Sequence, residues 1–153
     1  MVERSIAHGT FTVKRTYPHS PAKVFHAWAD PDIKRQWYGG DQQDSTGRVF
    51  EFRVGGREAT GGVAPTGEKF GFEIRYYDIV DNERIVFAYD VHIAGQLNSV
   101  SLATVEFKTV GAGTEIVMTE HGAFLDGAEI PEDRIAGTEW VLDRLGEILN
   151  EQK

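Results

Sequence analysis

The chain contains no cysteine. A disulfide scaffold, a thiolate zinc site and a cysteine nucleophile are thereby excluded, while the redox compartment is left undetermined. No apolar run approaches the ~18 residues that cross a bilayer as a helix, and no basic, apolar leader opens the sequence, so a cytoplasmic protein without a membrane span is expected. Basic residues are also scarce: 16 Lys and Arg against 24 Asp and Glu give a formal net charge of -8, with acids crowding the stretch 126–151. Nucleic acid needs a basic face and is not an expected partner. A Gly-x-Ser-x-Gly elbow, a Gly-Lys-Ser phosphate loop and a histidine pair at i, i+4 are missing too. Glycines 55, 56, 61 and 62 read as turn residues, and His8, His19, His26, His92 and His121 as solvated side chains. No metal, cofactor or catalytic residue is assigned from the sequence.

What is present begins with residues 131–153. With Leu145 at zero on a wheel of about 100° per residue, Arg134, Thr138, Val141, Leu142, Ile148 and Leu149 fall within about 60° of it, which predicts one long helix with one buried face. The rest is mostly alternating. Residues 6–17 read as a strand with Phe11, Val13 and Arg15 on one side. Ser20-Pro21 and Asp30-Pro31 each pair an N-cap with a first-turn proline, predicting two short helices, the first striped by Val24, Phe25 and Trp28. From 45 to 122 the period is two. Phe50, Phe52 and Val54 alternate until Gly55-Gly56, and Pro65-Thr66-Gly67 and Asp81-Asn82-Glu83 read as turns. Stretch 70–80 is a strand whose two faces are both partly apolar, so its parity is open. Ile85, Phe87, Tyr89 and Val91 share a face, as do Ser101, Ala103, Val105 and Phe107. After the Gly111-Ala112-Gly113 turn, Thr114, Ile116, Met118 and Glu120 line up.

Six or seven antiparallel strands closed by one helix make an α+β layout in one domain over 1–153, large enough to bury a core unaided. A curved sheet wrapped on a helix leaves a space wherever the inward side chains are small, and here Ser101, Ala103, Gly137 and Thr138 are small. Mid-helix Gly137 costs about 1 kcal/mol against alanine, so close helix-to-sheet packing or room for a ligand should offset it. In the ligand reading Trp37, Tyr38, Phe50, Phe52, Phe87 and Tyr89 supply the walls, with Val141 facing them from the helix.

The run SPAKVFHAWADPDIKRQWY at 20–38, the turns Gly55-Gly56-Arg57 and Pro65-Thr66-Gly67, the stretch NERIVF at 82–87, and Gly137 followed by Leu142-Asp143-Arg144-Leu145 together resemble the START-like (SRPBCC) superfamily. More narrowly, they resemble the branch named after the activator of the heat-shock protein 90 ATPase. The resemblance covers nearly the whole chain. It implies a helix-grip fold: a seven-stranded curved antiparallel sheet around a long C-terminal helix, two short helices after the first strand, and a hydrophobic cavity. One position departs from the branch, where a tryptophan commonly follows the glycine matched to Gly137. Here that residue is Thr138, which enlarges the expected cavity, and the tryptophan is Trp140. On the wheel Trp140 faces outward, either over Arg144 as a cation–π contact or as a surface for self-association or a protein partner.

Glu120 is the most informative polar residue, since its parity points it inward, where an unpaired carboxylate is costly. It can reach water at the strand's end, pair with an inward arginine or tyrosine such as Arg57, Arg75 or Tyr76, or serve as a ligand-binding or general acid/base group with a raised pKa. The first expectation is therefore a binding module for a small hydrophobic or aromatic molecule, with Arg57, Tyr76 and Glu120 as orienting contacts. The alternatives are a polyketide cyclase or aromatase-like enzyme and, implied by the family name alone, an accessory protein with a chaperone as partner.

Overall fold

A computed structural model describes residues 3–38, 43–63 and 66–152. Strand β1 (Ile6–Tyr17) alternates as its sequence requires, with Val13 and Tyr17 buried between exposed neighbours. Helices α1 (Pro21–Ala29) and α2 (Pro31–Trp37) follow. The Ser20 hydroxyl accepts the Lys23 amide, and the Asp30 carboxylate accepts the amides of Asp32 and Ile33, so each cap satisfies donors that its helix leaves open. Then come β2 (Gln43–Phe50), β3 (Arg57–Val63), β4 (Lys69–Val80), β5 (Arg84–Ile93), β6 (Gln96–Val110), β7 (Gly113–Leu125) and the closing helix α3 (Pro131–Glu151). The strands form one antiparallel sheet in the order β1-β7-β6-β5-β4-β3-β2. A meander from β2 to β7 thus takes the first strand onto its last edge, and α3 lies in the concave face: the helix-grip architecture.

Two stretches differ from their sequence reading. Residues 51–56 do not continue the strand of Phe50. The chain turns there, with Gly55 at φ 82° and its amide donating to the Tyr76 carbonyl, and Val54 is exposed. The parity of β4 was ambiguous because it changes within the strand. Phe70, Phe72, Ile74 and Tyr76 point inward up to a bulge between Tyr76 and Asp78, after which Ile79 pairs with the buried Ile85. Of the 65–67 turn, Pro65 lies outside the described residues, and Gly67 has φ 91°. The last hairpin closes as expected, Val110 pairing with Gly113 across Gly111 at φ 58°.

The core lies between α3 and the sheet. Leu142, Leu145, Ile148 and Leu149 are fully buried with Val24 and Trp28 of α1 and with Ile116 and Val105 of the sheet. Each such side chain contributes roughly 1.5–3 kcal/mol by leaving water. Helix α3 is pinned to β1 by the Tyr17 hydroxyl, which donates to the Leu142 carbonyl at 2.7 Å. A Cβ added at Gly146 would sit 3.1 Å from the Tyr17 ring. This glycine, and not Gly137, is the one that close packing explains.

Candidate functional site

Beside that core the packing is incomplete. A cavity of about 330 Å³ lies between α3 and the inner face of β4, β5 and β7. Its apolar walls come from Trp28, Tyr38, Phe70, Phe72, Met118 and Val141. Tyr89, Glu120, Arg134 and Thr138 line its polar end, and Gly137 and Trp140 form the helix side of its rim. A Cβ at Gly137 would meet nothing within 4 Å. The missing side chain therefore leaves volume open without drawing helix and sheet together.

The polar end is a connected hydrogen-bond circuit. Arg134 sits one turn into α3 on the buried stripe. Its Nε and Nη2 donate to Glu129 at 2.9 and 2.8 Å, Nη2 also to Ser99 at 2.8 Å, and Nη1 to the Tyr89 hydroxyl at 2.8 Å and Ser101 at 3.3 Å. Tyr89 passes its own proton on, donating to Glu120 Oε1 at 2.6 Å, while the Thr138 hydroxyl donates to Oε2 at 3.4 Å. Glu120 is 1% exposed. Burial raises its pKa above the usual carboxylate value, against the opposing effects of the Tyr89 hydrogen bond, Arg134 and Thr138. The Tyr89 hydroxyl is pushed well up by burial and then by the Glu120 charge. Burial lowers the Arg134 pKa, but Tyr89, Glu129 and Glu120 outweigh it and hold the guanidinium charged.

A second buried charge cluster backs the aromatic wall. Lys34 Nζ donates to Glu58 Oε1 at 2.6 Å and to the Tyr76 hydroxyl at 3.0 Å, and that hydroxyl donates to the same carboxylate oxygen at 2.6 Å. The ammonium lies 4.7 Å from the Tyr38 ring centre. Sequence reading passed over both charged partners. Their signal was positional: Lys34 stands one turn before Trp37, and Glu58 alternates with Thr60 on the inner parity of β3.

Of the residues expected to form a site, Tyr38, Tyr89, Glu120, Gly137, Thr138 and Val141 are brought together at the cavity. The others lie elsewhere. Trp37 packs edge-on against Trp28 at 4.8 Å and donates from Nε1 to the Ala27 carbonyl. Phe50 and Phe52 stack at 6.3 Å, Phe52 meets Tyr76 at 5.1 Å, and Phe87 meets Tyr76 at 6.1 Å, so Phe87 and Tyr76 belong to the core and the half-buried Phe50–Phe52 stack lies at its edge. Ser101 is covered by Arg134, and Ala103 is completely buried. Arg57 is exposed and pairs with Glu73 across the strands at 3.4 Å. Glu120 therefore does pair with an inward tyrosine, but that tyrosine is Tyr89 and not Tyr76, and neither Arg57 nor Arg75 meets it. Trp140 is 53% exposed, as the wheel required, yet it borders the cavity mouth. Arg144, its expected cation–π partner, instead pairs with Glu147 at 3.0 Å.

Trp28, Phe70, Phe72, Met118 and Arg134 were not foreseen as cavity residues. Met118 shares parity with Glu120 and Arg134 lay on the buried wheel face, so both could have been found. Among the described residues no three His, Asp or Glu side chains gather as a metal site, and no helix is long and apolar enough to cross a membrane.

No curated protein matches the chain. Solved structures do. A Rhizobium leguminosarum protein is 35% identical with a TM-score of 0.92, over 98% of this chain and 99% of its own. A Rhizobium loti protein is 41% identical with a TM-score of 0.86, over 94% of this chain and 99% of its own. A Chromobacterium violaceum protein at 24% identity and TM-score 0.76, over 92% of this chain and 96% of its own, shares the fold. Residues 18–150 match the family described as Activator of Hsp90 ATPase homolog 1-like protein, and these are the residues that carry both short helices, strands β2 to β7, and α3 through its last buried turn. The chain, with a helix-grip sheet that closes over α3, belongs to that family.

Proposed function

We propose that the protein binds a small, predominantly apolar aromatic molecule in the cavity between sheet and α3. The observation that carries this reading is a space of about 330 Å³ with aromatic and aliphatic walls and polar groups converging at one end, which is the usual make-up of a small-molecule site. Its size is informative. A cavity of about 150 Å³ accepts benzene, so this one has room for one or two rings and not for a long-chain lipid. Binding is favoured over catalysis because Glu120, the buried carboxylate that lines the cavity, already accepts hydrogen bonds from two hydroxyls and faces Arg134 through Tyr89.

The test is native mass spectrometry of the purified protein, followed by a thermal-shift screen of one- and two-ring aromatic compounds. The control is Thr138→Trp, which fills the cavity from the helix side. A co-purified ligand, or a concentration-dependent rise in melting temperature that Thr138→Trp abolishes, is the expected result. An empty protein with no hit, or hits that Thr138→Trp leaves untouched, overturns the reading.

A further inference from the structure

The charges around the cavity do not balance. Glu58 is matched by Lys34 at 2.6 Å, and Glu129 is matched by Arg134, which grips it with a two-point fork at 2.9 and 2.8 Å. Glu120 has no cation within ion-pair distance among the described residues. It holds only the Tyr89 hydroxyl at 2.6 Å and the Thr138 hydroxyl at a long 3.4 Å. Three carboxylates thus face two cations, and the unmatched carboxylate is the one that lines the cavity.

Arg134 has the opposite problem. A guanidinium carries five N–H donors, and all five are committed, to Glu129 twice, Ser99, Ser101 and Tyr89. An incoming carboxylate would find a cation with no donor to offer and two glutamates beside it. A cation entering the same space would find an uncompensated carboxylate at one end and the rings of Trp28, Tyr38 and Phe72 along its walls. The carboxylate attracts positive charge, the more so in a space screened from water by apolar walls.

We propose that the cavity's ligand carries a protonated amine on its ring system, that this ammonium docks on Glu120 in place of the Thr138 hydroxyl, and that aromatic carboxylates are rejected. The proposal rests on the ligand-binding reading above and adds the charge of the ligand to it. Glu120 is then the specificity-determining residue, while Arg134 positions Tyr89 and closes the site to anions.

Three two-ring probes of matched size separate the outcomes: naphthylmethylammonium, naphthylmethanol and naphthylacetate, titrated by calorimetry at neutral pH. Affinity should fall in that order, with about tenfold or more between the ends of the series, and Thr138→Trp should weaken all three. In Glu120→Gln the advantage of the ammonium over the alcohol should fall to near unity. As a check that needs no variant, the side-chain carboxyl carbon of Glu120, followed by NMR in the wild-type protein, should titrate at lower pH with the ammonium bound than with the alcohol bound. An acetate that binds as well as the ammonium, or a Glu120 titration that the ammonium leaves unmoved, overturns the proposal while leaving the cavity a binding site. Binding of none of the three probes overturns this proposal and the binding reading together.

Discussion

Lys34 and Glu58 meet at 2.6 Å in the interior, with 2% and 1% of their side chains exposed. The rings of Trp28, Tyr38, Phe50 and Tyr76 all lie within 5.7 Å of the ammonium. The pair fixes α2 to β3 behind the Tyr38 wall. A buried pair of this kind gains little net stability over apolar replacements, but losing one partner strands the other's charge. Lys34→Met alone should therefore lower the unfolding free energy by about 3–5 kcal/mol, and Lys34→Met with Glu58→Leu should recover most of it. Urea denaturation of both variants decides it. A single variant costing less than about 1 kcal/mol would mean that water reaches Glu58.

Gly137 and Gly146 should respond to alanine with opposite signs. A Cβ at Gly137 meets nothing within 4 Å, so only helix propensity acts, and Gly137→Ala should stabilise by about 0.5–1 kcal/mol. At Gly146 the new methyl would lie 3.1 Å from a Tyr17 ring already held by its hydroxyl at 2.7 Å from the Leu142 carbonyl. Overpacking there should outweigh propensity and destabilise by about 1 kcal/mol. Thermal melts that move in the same direction would contradict this division.

The pH profile of stability carries the signature of Glu120. Its folded pKa lies above the ordinary value of 4.5, burial being the main cause. The folded protein thus holds this proton more tightly than the unfolded chain does. The group's contribution is fully present below the unfolded value and is lost as pH rises through the folded one. Glu120→Gln cannot ionise and escapes that loss. The melting temperature of Glu120→Gln minus that of the wild type should therefore become more positive as pH is raised from 4.5, and a flat difference would show that Glu120 titrates normally.

The architecture was legible because its signals are local. Ser20-Pro21 and Asp30-Pro31 cap their helices through side-chain bonds made within three residues, and the α3 wheel needs only the order of its apolar positions. The site was legible where parity held without interruption, as it did from Ile116 through Glu120 and from Ile85 to Val91. It failed where one residue shifts the phase. The bulge after Tyr76 hid the inward face of Phe70 and Phe72, and the turn at 51–56 removed Phe52 from its strand. Partner choice was not legible at all. Nothing in the order of residues says that Arg134 reaches Tyr89, Ser99 and Ser101 or that Thr138 reaches Glu120, because those contacts depend on how far α3 slides along the sheet.

Trp140 offers a direct optical test of where a ligand sits. The chain has three tryptophans; Trp28 and Trp37 are each 1% exposed, whereas Trp140 is 53% exposed at the cavity mouth. The red edge of the emission should therefore come from Trp140, and Trp140→Phe should shift the spectrum to the blue. Because the indole is half in water, the substitution should change stability by no more than about 0.5 kcal/mol. A ligand in the cavity covers this ring, so saturation with benzyl alcohol, with excitation where only indole absorbs, should blue-shift the wild-type emission and leave that of Trp140→Phe nearly still at the red edge. A ligand that bound the outer face of the sheet, where Val100 and Leu102 are exposed, would leave both spectra unchanged. Binding by calorimetry without any response from Trp140 would therefore move the site off the cavity.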